Sequence, residues 1–191
     1  MSASKPSESA PYGVAIELKV ERIAHLFDAL DPFPIPTRDL SPATDEFIVG
    51  WARDLSPRAP IRIVVHAPRE EAGIDGAVLS DAFHQHFAAR AERMSGDLRE
   101  LFRFGRLALS IGLAVLVLCV IGARLAMTGE NAIGRIVGEG LLILGWVANW
   151  RPLEIFLYEW WPIVQKRRLF RRLAAAQVEL VGHRRAETNA V

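Results

Sequence analysis

The sequence predicts a small α+β domain joined to a two-helix transmembrane hairpin, in a chain that is mostly α overall. Of the 191 residues, 51% are hydrophobic and 24% are charged, so the apolar residues must be concentrated in blocks. The longest block, residues 107–123, has no charge. Residues 90–103, which precede it in one continuous stretch of helical periodicity, carry seven charges. A helix that begins in water and ends in a bilayer accounts for this contrast.

The predicted soluble domain occupies residues 14–104 and follows a polar, disordered tail over residues 1–13. Residues 14–20 alternate apolar and polar side chains, which predicts a half-buried strand. Apolar residues at helical spacing predict a short amphipathic helix over residues 21–30. The three prolines of residues 32–36 end this helix, because proline cannot donate the helical hydrogen bond.

A second helix and a second strand complete the predicted domain before the long helix. Ser41 followed by Pro42 predicts an N-cap with proline at the first helical position, and the helix extends to Leu55. Residues 61–66 predict the second strand, so the order is strand, helix, helix, strand, long helix. Two strands make a marginal sheet alone. We therefore expect helices over one face, or a second copy of the chain along an edge.

The long helix is predicted to run from Leu79 to Met127, with a seam of small and apolar residues at the 3.5-residue period. Its part over residues 105–127 has the length of transmembrane helix 1, since about 20 helical residues cross a hydrocarbon core. A short outer turn over residues 128–132 leads to transmembrane helix 2, residues 133–151.

The charges decide the register and the orientation of these spans. Ending the second span at Arg151 places Arg135 at the outer interface, whereas a later register buries Glu154 and Glu159. Basic residues flank the inner ends of both spans, and few lie at the connecting turn. The sequence therefore predicts a multi-pass protein of the cell inner membrane with cytoplasmic N- and C-termini.

Residue size is the usable packing signal between membrane helices, because all their faces are apolar. Small residues form one face of each span, and the predicted helix-packing residues are Gly105, Ala108, Gly112, Cys119, Gly134, Gly138 and Gly145. We expect these two faces to pack within the hairpin. The alternative is that one of them packs against another copy of the protein.

An aromatic interfacial helix, residues 152–165, and a basic C-terminal helix and tail, residues 166–191, are predicted to follow. Aromatic side chains favour the headgroup level and basic ones favour anionic headgroups, so the expected partners are the lipid bilayer and anionic lipid headgroups. The predicted membrane-interface residues are Trp150, Arg151, Tyr158, Trp160, Trp161, Lys166, Arg167, Arg168, Arg171 and Arg172. Leu169, Leu173, Ala176 and Leu180 predict a final helix packed on the soluble domain. A specific protein- or lipid-docking site is the alternative for the aromatic segment.

Two segments resemble stretches of uncharacterised bacterial two-span inner-membrane proteins. They are Asp45-Glu-Phe-Ile-Val-Gly-Trp-Ala-Arg-Asp-Leu55 and Trp150-Arg-Pro-Leu-Glu-Ile-Phe-Leu-Tyr-Glu-Trp-Trp-Pro-Ile163. The resemblance covers a minor part of the chain. It implies a bacterial inner-membrane location, but no known activity and no site.

No catalytic motif stands out: the sequence has no phosphate-binding glycine loop, nucleophile elbow or Cys-x-x-Cys. His84 and His86, with Asp81, are the best metal candidates. Residues two apart on a helix point about 200° from each other, so these histidines cannot bind one ion together. We therefore expect no catalytic residue, no metal, no cofactor and no nucleic acid.

The sequence thus favours a non-enzymatic scaffold, assembly factor or regulatory subunit of a membrane complex, with a homo-oligomer expected. The first alternative is a small transporter or channel subunit that uses Arg151 and Glu154. The second alternative is an enzyme with an unrecognised site near His84 and His86.

Overall fold

The computed structural model describes residues 14–57, 59–68, 75–128 and 131–183. The predicted tail, residues 1–13, lies outside them. The chain divides into two compact units, residues 1–92 with 167–191 and residues 93–166. We call the first the sheet unit and the second the hairpin unit.

The structure is mostly helical, with a small parallel sheet. The helices are α1 (Pro42–Asp54), α2 (Gly76–Met127), α3 (Ala132–Ala148), α4 (Trp150–Glu154) and α5 (Trp160–Ala174), and a π-helical segment (Ile155–Glu159) lies between α4 and α5. The strands are β1 (Val14–Lys19), β2 (Ile61–Pro68) and β3 (Gln177–His183). The N-cap predicted at Ser41 is confirmed, since its side chain accepts the Thr44 N–H at 3.3 Å at the start of α1.

All strands of the sheet are parallel, in the order β1-β2-β3. Ile63 at the centre pairs with Ile16 on one side and Val178 on the other, and Val65 pairs with Leu18 and Leu180. Ile63 and Val65 are fully buried. They form the core of the sheet unit with buried side chains of α1 and α2, including Ile48, Leu79, Phe83 and Phe87.

The expected final helix over Leu169 to Leu180 is wrong in its second half, and so is the expected two-stranded sheet. Helix α5 ends at Ala174, and β3 adds a third strand to the sheet. The spacing of the apolar residues fits a helix, but Val178 and Leu180 also alternate with the exposed Gln177 and Glu179. Pairing with β2 decides between the two patterns, because tertiary contacts override local propensity in short segments.

The helix expected over residues 21–30 is also wrong beyond a single turn. Only a 3-10 turn forms, Ile23–Leu26, and Phe27 then makes an isolated antiparallel bridge with Leu40. The Asp28 carboxylate accepts the N–H of Leu30 at 2.9 Å. This local bond offers the backbone an alternative to the helix, as aspartate side chains commonly do.

Two helical stretches, Gly76–Met127 and Ala132–Ala174, are long and apolar enough to cross a membrane. In the most apolar 18 residues of each stretch, only 17% and 11%, respectively, are buried within the protein. Large apolar side chains on both are instead exposed, among them Leu118, Leu125, Ile133 and Trp146. By this measure the two stretches differ from the core helices of a soluble protein, which are mostly buried.

Candidate functional site

The hairpin unit contains a polar contact between its two apolar helices. The side-chain amide of Asn149 donates to the carbonyl of Gly112 on α2 at 3.1 Å and to that of Gly145 on α3 at 3.0 Å. A Cβ at Gly112 would lie 2.9 Å from Asn149 Oδ1 and 3.1 Å from the Ala148 carbonyl oxygen. Only glycine therefore fits at position 112 without displacing its neighbours.

The other predicted packing glycines also lie at close approaches between segments of the hairpin unit. A Cβ at Gly145 would lie 2.9 Å from Leu116 and 3.1 Å from the Cβ of Cys119, which is itself buried. Added Cβ atoms would meet the Ala126 carbonyl at Gly134, the Met127 side chain at Gly138 and the Ile155 side chain at Gly105. Ala108 is half-buried. Whether these residues drive association of the helices stays a prediction.

The predicted aromatic interface residues are mostly exposed. Trp150 and Tyr158 are about 70% exposed and Trp161 about half. Trp160 differs, since its indole N–H donates to the Phe156 carbonyl at 2.9 Å and its ring is half-buried. Phe156 in turn stacks on Phe102 of α2 with ring centroids 6.0 Å apart. The exposed rings are thus available to an external apolar phase, whereas Trp160 stabilises its own turn.

Arg151 lies between two carboxylates at the π-helical segment. Its Nη1 donates to Glu154 at 3.0 Å and to Glu159 at 2.5 Å. All three side chains retain solvent exposure. The charges that the sequence suggested for a polar path therefore neutralise one another in part within the same segment.

The predicted basic cluster divides into two groups. Lys166, Arg168 and Arg171 are exposed, and Arg167 is half-buried. Arg172 instead donates to the carbonyls of Ser56 at 2.8 Å and Ala59 at 2.9 Å, within the sheet unit. Its guanidinium thus holds the turn after α1, a role that sequence reasoning missed.

A folded loop presents Asp39 to helix α2. The Asp31 carboxylate accepts the N–H of Asp39 at 2.7 Å and the N–H of Phe33 at 3.0 Å, and these bonds hold the pKa of Asp31 below its usual value. The guanidinium of Arg38 donates to the Asp31 carbonyl at 2.6 and 2.9 Å. The loop is therefore fixed at both ends by its own side chains.

His86 is the centre of a polar cluster in the sheet unit. Its side chain is only 7% exposed, with Nδ1 3.0 Å from Asp39 Oδ1 and Nε2 3.1 Å from Asp45 Oδ1. Arg90 donates to the other oxygen of Asp45. Burial by itself raises the pKa of Asp45, but the hydrogen bonds from His86 and Arg90 outweigh it, so the pKa lies below the ordinary value.

The two ring nitrogens of His86 therefore link the loop, α1 and α2. The N–H of Leu40 also approaches Nδ1, at 3.3 Å. With both ring nitrogens protonated, His86 donates to both aspartates, whereas the neutral ring with its proton on Nε2 accepts from Leu40. Sequence reasoning missed this cluster, because Asp39 and Asp45 lie far from His86 in the chain. The four-residue spacing of His86 and Arg90, which places them on one helix face, was the only local signal.

His84, the other metal candidate, lies elsewhere: its Nε2 is 2.8 Å from the Ala176 carbonyl oxygen. Among the described residues, no group of three or more His, Cys, Asp and Glu is arranged to hold a metal ion. The two histidines thus have separate hydrogen-bond partners.

No protein-family model, curated protein or solved structure matches the chain. The functional argument therefore depends on the chain's own residues and their contacts.

Proposed function

We propose that this protein is a non-enzymatic integral protein of a bacterial inner membrane, acting as a scaffold, assembly factor or regulatory subunit of a membrane complex. The observation that carries the proposal is the pairing of β2 with β3. The two stretches long and apolar enough to span a membrane lie between these strands in the sequence. The sheet unit is therefore built from segments that precede and follow the apolar stretches.

The exposed apolar surface of the hairpin unit supports insertion in a bilayer. Leu118, Leu125, Ile133 and Trp146 are each more than two-thirds exposed. Contiguous apolar surface of this kind is unfavourable in water at about 25 cal/mol per Å². In hydrocarbon the same side chains are solvated, and α-helices satisfy their own backbone hydrogen bonds.

The sheet supports a topology with both chain ends on the same side. Backbone hydrogen bonds join β1 to β2 and β2 to β3, so all strands must share one aqueous compartment. Two spans return the chain to the side from which it started. Basic residues near the proposed inner ends, such as Arg103, Arg106 and Arg168, support a cytoplasmic location for that side by the positive-inside rule.

The exposed aromatic and basic residues support contact with lipid headgroups. Trp150, Tyr158 and Trp161 expose amphipathic rings, and Lys166, Arg168 and Arg171 expose charges. Anionic lipid attracts such charges by about 1 kcal/mol each. The lipid bilayer and its anionic headgroups are thus the proposed partners, together with another copy of the chain or a larger complex.

Topology is tested with single cysteines in a Cys119→Ala background. A membrane-impermeant maleimide added to intact spheroplasts should label Asn131→Cys and spare Glu17→Cys, which should react only after lysis. Glu17 is exposed in the sheet unit, so burial does not protect it. Labelling of Glu17→Cys in intact cells would overturn the cytoplasmic assignment.

The scaffold role is tested by purifying a tagged chain in mild detergent and measuring the mass of the native complex. A discrete complex containing a second protein supports the role. A homo-oligomer with no partner, together with solute flux in reconstituted vesicles, would overturn it in favour of a transporter.

A further inference from the structure

A shallow groove of about 830 Å³ lies along one face of α2, where the charged half of the helix meets its uncharged run. It is lined by Arg99, Glu100, Arg103, Phe104, Arg106, Leu107 and Ser110, all within the hairpin unit. Its position coincides with the start of the apolar run at Leu107.

The groove is basic along one edge and apolar along the other. Arg99, Arg103 and Arg106 follow at spacings of four and three, which places the three guanidiniums on one helix face. Glu100 is the one acidic residue among the lining side chains. Phe104 is 53% exposed and Leu107 is 58% exposed. The groove therefore carries a net positive charge beside an open apolar surface.

The arginines differ in how far the protein itself engages them. Arg99 donates to the carbonyl of Ser95 at 3.3 Å. Within the described part of the chain, neither Arg103 nor Arg106 takes part in a salt bridge. The hydroxyl of Ser110 donates to the carbonyl of Leu107 at 2.8 Å, so it is not a donor to a ligand. Arg103 and Arg106 are thus the groups with free donor capacity.

We propose that this groove binds the headgroup phosphate of one anionic phospholipid, with an acyl chain along Phe104 and Leu107. The inference rests on the proposed insertion of α2 in a membrane. Guanidiniums bind phosphate oxygens through paired N–H donors, which suits Arg103 and Arg106. Because Leu107 begins the uncharged run, these arginines lie at headgroup level and the apolar edge continues towards the hydrocarbon.

The apolar edge favours a lipid over a soluble phosphate. An inorganic phosphate or a glycerophosphate would contact only the guanidiniums and leave Phe104 and Leu107 exposed. A phospholipid covers both parts of the groove. A lipid with a zwitterionic headgroup has no net charge to match the basic edge, so phosphatidylglycerol should bind better than phosphatidylcholine with the same acyl chains.

The test is native mass spectrometry of the full chain in detergent, titrated with either of these two lipids. The wild type should retain phosphatidylglycerol in preference to phosphatidylcholine. Replacing Arg103 and Arg106 together (Arg103→Gln with Arg106→Gln) should weaken phosphatidylglycerol binding about 30-fold, at about 1 kcal/mol per charge. The matched control, Arg53→Gln with Arg93→Gln, removes the same charge at exposed positions outside the groove and should bind as the wild type does.

The outcomes separate this site from the proposed function. If the wild type is recovered in the soluble fraction of cells, membrane insertion itself fails and the site fails with it. If both variants remain in the membrane fraction and the groove variant binds phosphatidylglycerol as the wild type does, the site is overturned and the membrane assignment stands. Equal weakening in the control, or displacement of lipid by soluble glycerophosphate, would also overturn the lipid site.

Discussion

Val178 on β3 pairs in parallel register with Ile63 on β2, although α2 and α3 lie between them in the sequence. The pair joins the last described strand to the centre of the sheet. Ile63 is fully buried, so this pairing belongs to the core of the sheet unit. The sheet of the sheet unit can therefore be complete only after the apolar segments have been synthesised.

The alternation of β3 predicts unequal effects on stability for substitutions at neighbouring positions. Leu180 pairs with the buried Val65 and is half-buried, whereas Val181 is 41% exposed. We expect Leu180→Asp to lower the free energy of unfolding by about 2 kcal/mol or more, because it places a carboxylate against the core. Val181→Asp should change it by less than about 0.5 kcal/mol, as surface substitutions usually do. Thermal unfolding of the detergent-purified protein, followed by circular dichroism, measures both. Equal effects would indicate that this segment is not a strand with one buried face.

The contact between Gly112 and Asn149 predicts a sharp size limit at position 112. A methyl group there would lie 2.9 Å from Asn149 Oδ1, so Gly112→Ala should displace the amide or separate the helices, at a cost of about 1–3 kcal/mol. Gly140→Ala is the matched control, since a Cβ at that position meets nothing within 4 Å. The control should be neutral or slightly stabilising, because alanine is the better helix former by about 1 kcal/mol. The midpoint of thermal unfolding in detergent should fall for the first variant only.

The cluster around His86 predicts that stability is lost in acid. Because the hydrogen bonds from His86 and Arg90 hold the folded-state pKa of Asp45 below its unfolded value, the ionised carboxylate stabilises the fold above the unfolded value. This contribution disappears as the pH falls through the folded-state pKa. Asp45→Asn should therefore reduce stability at neutral pH and flatten the loss of stability below about pH 4.

Urea unfolding at several pH values measures this effect. Asp54→Asn is the control, because Asp54 is exposed near the end of the same helix. It should behave as the wild type does at every pH. If Asp45→Asn loses stability in acid as the wild type does, another group causes the acid sensitivity.

Arg151 provides a test of the transport alternative. Since Arg151 is paired with Glu154 and Glu159 at an exposed surface, we expect it to stabilise the π-helical segment rather than to line a path. Vesicles containing the wild type should therefore show no more ion flux than empty vesicles, and Arg151→Ala should not alter this. Flux in the wild type that Arg151→Ala abolishes would favour a channel or transporter subunit.

The structural features that the sequence predicted correctly depend on residues close together in the chain. The N-cap at Ser41 depends on Thr44, three residues away, and it was predicted correctly. The two apolar helices depend on runs of residues whose composition is visible in the sequence. The charged-to-uncharged change at Leu107 was equally visible, although the groove beside it was not.

The contacts that the sequence did not predict have non-local causes. Leu180 fits a helical spacing and a strand alternation equally well, and only pairing with Val65 on β2 makes it a strand residue. His86 forms hydrogen bonds with both Asp39 and Asp45. The contact with Asp39 exists because a loop, closed by the bond from the Asp39 N–H to Asp31, positions Asp39 beside α2. Arg172 donates to the turn after α1, a contact that the sequence did not predict. Each of these contacts joins residues that are distant in the chain.

The sequence by itself thus determined which segments are long and apolar enough to enter a bilayer, because helix length and hydropathy are sums over neighbouring residues. The tertiary structure alone decided that the chain's last described segment is a strand and that His86 is a buried hydrogen-bonded link. Burial and strand pairing depend on partners that only the folded chain brings together, and their free energies exceed the small local preferences of a short segment.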